Sequence, residues 1–129
     1  MVIDTSALVA ILLNEPEAPR FRDAVEQSAR RLISAVTQVE LACVIEGRAG
    51  AAGRLAVERL LAAMDAEIVA ATPAQAEVAI TAFRRYGRGQ HRARLNLGDC
   101  FSYALAKSSS MALLFKGDDF IHTDVAAAI

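Results

Sequence analysis

The chain has 129 residues, a length that fits one domain, residues 1–129, around an ordinary core. A formal net charge of −1 excludes a global pull toward nucleic acid, while a hydrophobic share of 54% leaves apolar surface to be covered by a partner or a second copy, so a homo-oligomer is expected. The longest early apolar run, Ala7 to Leu13, is too short to span a bilayer and no basic residue precedes Arg20, so neither a membrane helix nor a signal peptide is expected.

The first segment, 1–4, reads as a short buried strand that hands over to a helix at Asp4-Thr5-Ser6. Further buried strands are expected at 31–34, 67–70 and 112–115, each a short apolar run. Between the second and third, Val36 to Arg48 is apolar over nearly its whole circumference and predicts a buried helix. Gly47 to Gly53 reads as a flexible connector. Pro73 suits the first turn of another helix, which runs through Ala76, Val78, Ile80 and Phe83 to stop near Tyr86-Gly87. A polar loop, Gly87 to Arg94, leads to Asn96, the cap of a helix from about Leu97 to Ser108. Strands alternating with helices imply parallel pairing through crossovers, hence a three-layer α/β fold with a sheet of four to five short strands. Cys43 and Cys100 have neither metal-knuckle nor disulfide-framework spacing; they read as inert small hydrophobes, and a reducing cytoplasm is the expected setting.

Four acids stand out. Glu40 is the one ionisable group between Val39 and Ile45, and a buried unpaired carboxylate costs several kcal/mol or a neutralising shift of its pKa. Each acid also has a local structural reading. Glu40 at a helix edge can reach solvent or an arginine, Asp4 can be an N-cap, Asp99 can close a capping box with Asn96, and Asp118 can cap a turn. Topology joins them. Asp4 and Asp118 lie at the carboxyl ends of expected strands, Glu40 in the second turn after a strand, and Asp99 at the start of the helix that leads into the last strand, so all four face one crevice. Crowded carboxylates repel unless a divalent cation neutralises them, and hard oxygen ligands select Mg²⁺ or Mn²⁺ over zinc.

Val2-Ile3-Asp4-Thr5-Ser6-Ala7, Glu40 after Ile33-Ser34-Ala35, Leu95-Asn96-Leu97-Gly98-Asp99-Cys100-Phe101, and Leu114 to Phe120 followed by Thr123-Asp124, in that order, resemble a PIN-domain ribonuclease toxin of the VapC type from a type II toxin-antitoxin pair. The resemblance implies an α/β/α domain, a homodimer, RNA cleavage with Mg²⁺ or Mn²⁺ leaving a 5′-phosphate and a 3′-hydroxyl, and silencing by a cognate VapB-type antitoxin. It maps Asp4, Glu40 and Asp99 onto the metal site. Asp118 and Asp119 both fit the fourth catalytic position, with Asp118 slightly favoured as the ligand. Thr5 and Ser6 match hydroxyl positions beside the first acid, and Asn96 a polar position beside the third, so all three are carried as substrate-binding candidates.

Five of the 14 basic residues fall between Arg84 and Arg94. Arg84 and Arg85 suit a helix C-terminus, whereas Arg88, Arg92 and Arg94, with His91, read as contacts to an RNA backbone, the glycines allowing close approach. Two rivals remain. A receiver or aspartate-nucleophile phosphatase also gathers acids and Mg²⁺ at strand ends, but the third strand ends in Ala70-Ala71-Thr72-Pro73, and no second Asp stands two residues after Asp4. A non-catalytic module receiving a basic peptide at the acids, with a partner helix in a groove at Leu12, Leu13, Phe21 and Val25, is the other. The RNA itself, whether tRNA, rRNA or mRNA, is not written in the sequence, because its recognition rests on shape and loops.

Overall fold

The computed structural model describes residues 1–129. Four parallel strands, β1 (Val2–Ile3), β2 (Leu32–Ser34), β3 (Glu67–Val69) and β4 (Leu113–Leu114), lie in the order β3-β2-β1-β4. Five helices accompany them: α1 (Thr5–Leu12), α2 (Ala18–Gln27), α3 (Ala35–Ala63), α4 (Pro73–Tyr86) and α5 (Leu97–Ser109). Successive side chains of a strand point to opposite faces, and this builds two cores. Val2, Leu32 and Leu113 pack on one side with α4 and α5. Ile3, Ile33 and Leu114 pack on the other with residues of α1, α2 and α3. The expected three layers are therefore present. A bridge from Leu113 to Ala127 adds the C-terminal segment beyond β4.

The chain moves from β1 to β2 and β3 on one side, then returns to place β4 on the other side of β1. Its switch point thus lies between β1 and β4, where an open α/β sheet leaves a crevice at the carboxyl ends of its strands. Asp4 is the first residue after β1, and the segment carrying Asp118 and Asp119 follows β4.

Three expectations about burial change. The helix predicted over Val36 to Arg48 buries only one face: Thr37, Leu41 and Ile45 are buried, while Val39 is 63% exposed and Cys43 is also exposed. An apolar sequence does not mark a buried helix when one side meets no neighbour. The connector at 47–53 shrinks to a kink inside α3 at Gly50, whose φ of 55° interrupts an otherwise helical path. The third strand is a sheet edge and largely exposed, with Glu67 paired to Arg30 at 2.8 Å.

Arg31 fastens the end of the sheet opposite the crevice. Its guanidinium donates to the carbonyls of Val25 at 2.9 Å, Ser28 at 2.7 Å and Met64 at 2.9 Å. Those carbonyls belong to the ends of α2 and α3, where helical partners run out. Replacing it with Ala removes a charged donor from three carbonyls, of which Val25 keeps only the Ser28 amide, so Arg31→Ala should lose about 2–3 kcal/mol in urea unfolding. An unchanged midpoint would refute that clamp.

Candidate active site

Asp4 is only 1% exposed and caps α1. Its Oδ2 accepts from the Ser6 amide at 2.9 Å and from Ser6 Oγ at 2.6 Å. Ser6 Oγ accepts in turn from the Lys116 amide at 3.0 Å, which joins the first acid to the chain leaving β4. The other oxygen, Oδ1, is buried without a partner. An unmet buried acceptor costs about 1–3 kcal/mol, and more when charged, so a cation is the natural complement.

Glu40 reaches this place from α3. Thr5 Oγ1 donates to its Oε2 at 2.5 Å, and its carboxylate sits against Gly98, where an added Cβ would displace it. Gly98 thus leaves room for Glu40 rather than supplying a special backbone angle.

Asp99 is 9% exposed and closes a capping box: its Oδ2 accepts from the Asn96 amide at 2.7 Å, and Asn96 Oδ1 accepts from the Asp99 amide at 2.9 Å. Burial is the largest influence on its carboxyl, pushing the pKa up to about 7. The Asn96 hydrogen bond opposes this, and repulsion from Asp4, Glu40 and Asp119 adds to it.

Asp4, Glu40, Asp99 and Asp119 thus share one electrostatic neighbourhood. Asp118 and Asp119 are both exposed, and of the two only Asp119 is among the charges acting on Asp99. No three of the acids converge as a ready ligand set, which corrects the expectation that all four crowd one point; Ser6 holds the Asp4 carboxylate and Thr5 that of Glu40. The residues nevertheless fit a divalent cation: the donors are hard oxygens, one of them is buried and unmet, and their charges repel.

The other candidates divide. Thr5 and Ser6 spend their hydroxyls on Glu40 and Asp4, and Asn96 spends its amide oxygen on the capping box, so all three hold acids in position. Arg88, Arg92 and Arg94 are exposed on a loop closed by the bridge between Gly87 and Leu95 and anchored by buried Ala93 and Leu95. His91 Nδ1 accepts from the Ala93 amide at 3.1 Å, and its ring makes a T-shaped contact with Tyr86, which ties one ring nitrogen to the loop itself. Phe21 and Val25 are core residues, 5% exposed each, so the partner groove expected on α1 and α2 loses both. Cys100 is buried, and burial followed by the Asp99 charge pushes its thiol up to about 11, leaving it inert.

Two features escaped the sequence reading. Thr37 and Ser102, both fully buried, join their hydroxyls at 3.0 Å and fix α3 to α5, three residues from Glu40 and Asp99 respectively. Tyr103 donates to Asp124 Oδ1 at 2.6 Å, while Arg85 and Lys107 flank the other oxygen, fastening the C-terminal segment to α4 and α5. A hydroxyl inside an apolar helix was the available signal for the first, and a tyrosine on the buried face of α5 for the second.

The raised Asp99 pKa fixes a sign. Below about pH 3.8 the carboxyl is protonated folded and unfolded alike and costs nothing. As pH rises toward 7 the unfolded chain ionises first, and the folded state loses stability by up to about 4 kcal/mol. In EDTA, Asp99→Asn should match the wild type near pH 4 and grow progressively more stable than it up to pH 7, read as the difference in melting temperature. A difference that does not change with pH would show that the folded state does not raise the Asp99 pKa.

Residues 1–126 match the family model described as PIN domain. VapC ribonuclease Mb0640 of Mycobacterium bovis is 53% identical over 126 residues, spanning 98% of this chain and 96% of that protein. Ribonuclease VapC of Mycolicibacterium smegmatis is 52% identical over 127 residues, spanning 98% of each. The crystal structure of Mycobacterium tuberculosis VapC20, a sarcin-ricin loop cleaving toxin, has a TM-score of 0.79 over 97% of this chain and 95% of that one; at 14% identity the likeness is one of fold. With half its residues shared over nearly its whole length and the sheet order and acidic crevice already described, this chain belongs to the PIN-domain family, in its VapC ribonuclease group.

Proposed function

We propose that the protein is an endoribonuclease toxin that hydrolyses RNA phosphodiester bonds with Mg²⁺ or Mn²⁺ at Asp4, Glu40, Asp99 and Asp119, and that a VapB-type antitoxin neutralises it. The carrying observation is the buried, unpartnered Asp4 Oδ1 at the β1/β4 switch point, beside an Asp99 on which the charges of Glu40 and Asp119 also act. Asp119 is preferred to Asp118 as the fourth acid because its charge is felt at Asp99, which reverses the preference drawn from sequence.

A divalent cation bound there supplies charge neutralisation and a water of lowered pKa. The chain's own residues do the rest. Ser6 keeps one Asp4 oxygen occupied so that the other stays directed to the site, and Thr5 holds Glu40 against Gly98. The Asn96 amide keeps Asp99 turned back on its own helix end. Arg88, Arg92 and Arg94 hold backbone phosphates of a tRNA, rRNA or mRNA, and the cut leaves a 5′-phosphate and a 3′-hydroxyl. The active protein is a homodimer.

Cleavage of a total RNA preparation with Mg²⁺ should fall at least about a hundredfold for Asp99→Asn and for Asp119→Asn, vanish in EDTA, and persist in Asp118→Asn. Full activity of Asp99→Asn would overturn the site, and loss in Asp118→Asn alone would restore Asp118 as the fourth acid. Replacing Arg88, Arg92 and Arg94 together by Ala should weaken RNA binding and flatten the slope of log affinity against log salt by roughly 2. An unchanged slope would remove the loop from the RNA interface.

A further inference from the structure

Asp4, Glu40 and Asp99 each accept a hydrogen bond that holds the carboxylate in place, from Ser6, Thr5 and the Asn96 amide in turn. Asp119 has no such support: it is exposed, its carboxylate caps nothing, and it stands in none of the ion pairs of the chain. Its place is inherited from the backbone that carries it, and that backbone has little slack. Phe120–His122 form one 3₁₀ turn that starts next to Asp119, and Phe120 is buried with its ring 5.1 Å from that of Phe115. Thr123 closes the turn, its amide donating to the Phe120 carbonyl at 3.0 Å and its hydroxyl to the same carbonyl at 2.8 Å. The Val125 amide donates in turn to the Thr123 hydroxyl at 3.3 Å. Asp119 at one end and Asp124 at the other thus belong to one tightly bonded unit.

The far end of this unit is pinned at Asp124. One of its oxygens accepts from the Tyr103 hydroxyl at 2.6 Å, and the other lies 3.3 Å from Arg85 and 3.6 Å from Lys107. The Tyr103 bond, with Lys107 and Arg85 beside it, holds the Asp124 carboxyl below the usual carboxylate range. Burial first, and then the same bond, keep the Tyr103 hydroxyl above the usual tyrosine range. An anion and a neutral donor therefore face each other, a pairing about twice as strong as one between neutral groups. Tyr103 is a firm anchor, since it is buried and its ring lies 5.8 Å from that of the buried Tyr86.

The frame for this pin is α5. Asp99 lies in its first turn and Tyr103 four residues on, so the two stand one above the other along one side of the helix. The segment after β4 meets that side twice, with Asp119 near Asp99 and Asp124 on Tyr103. We infer that Asp124 is a positioning residue of the metal site: its bond to Tyr103 fixes, through the turn at 120–122, where Asp119 stands relative to Asp99. The inference rests on the metal-site reading above and gives the Thr123-Asp124 pair a task in it. Thr123 keeps the turn closed, and Tyr103 supplies the fixed point. Asp124 is no fifth ligand, because both its oxygens are occupied and its charge is not among those acting on Asp99.

Titration calorimetry with Mn²⁺, at a temperature where circular dichroism shows every variant folded, tests this. Tyr103→Phe removes only a hydroxyl, and Asp124→Ala only an exposed carboxylate. Each should weaken Mn²⁺ binding about tenfold, the loss typical of groups that hold a ligand from behind. Asp119→Asn keeps three acids and a measurable affinity, and adding Asp124→Ala to it should change that affinity no further, because the two residues act in series. Wild-type Mn²⁺ affinity in either single variant, whatever its melting temperature, would overturn the inference and leave Asp124 as a fastening of the C-terminal segment alone. A further loss on adding Asp124→Ala to Asp119→Asn would also overturn it, since Asp124 would then act by a route other than Asp119. A wild type that binds no Mn²⁺ would instead overturn the metal-site reading, and the inference with it.

Discussion

An acid buried at the end of the first strand, with one oxygen held and the other unmet, is the constraint around which this fold is arranged. Asp4 keeps that position because its surroundings are tied from several directions. Ser6 grips one oxygen and is itself gripped by the Lys116 amide, so the segments after β1 and β4 cannot part without breaking a hydrogen bond to the acid. Thr5, next in sequence, reaches the opposite way to Glu40. Two adjacent hydroxyls at the start of one helix thereby orient two carboxylates from different elements.

The same economy applies one layer further out. α3 and α5 carry Glu40 and Asp99, and the Thr37–Ser102 bond lies buried between them three residues from each acid. Gly98 lets the Glu40 carboxylate rest on the helix start that holds Asp99. These contacts bury a carboxyl among like charges, and the cost falls on Asp99, whose pKa is pushed up to about 7 first by burial and then by repulsion from the neighbouring acids. Stability is given up where a ligand restores it, which is the usual relation between a strained site and its function.

Much of this could be read from the sequence because it is local. The cap at Asn96, the helix starting at Pro73, the strand that hands over to a helix at Asp4 and the strand ending at Ser34 follow from patterns of a few residues, and the structure places them where expected to within a residue. Asp4, Glu40 and Asp99 were also legible, since acids in apolar contexts are costly. What the sequence could not carry was the neighbour. Val39 and Phe21 are equally apolar, yet one faces solvent and the other the core, and only the packing of α2 against α1 decides it. The choice between Asp118 and Asp119 is of the same kind. Adjacent residues of one type carry the same local signal, so the sequence offers no means of separating them.

A chain of net charge −1 still has to meet a polyanion, and the disposition of its basic residues shows how it does so. Arg30, Arg54, Arg85, Lys107 and Lys116 are in ion pairs, Lys116 with both Glu15 and Glu17. Arg22 and Arg31 donate to backbone carbonyls. Arg88, Arg92 and Arg94 have no such partners and stand exposed on a loop whose backbone is pinned by the Gly87–Leu95 bridge. That loop leads directly into the helix cap bearing Asp99. Arg20, Arg48, Arg59 and Arg84 are likewise exposed and outside the ion pairs, so free positive charge is not confined to this loop. What sets Arg88, Arg92 and Arg94 apart is their place on the segment that leads to the acidic crevice, where a positive field favours a phosphate.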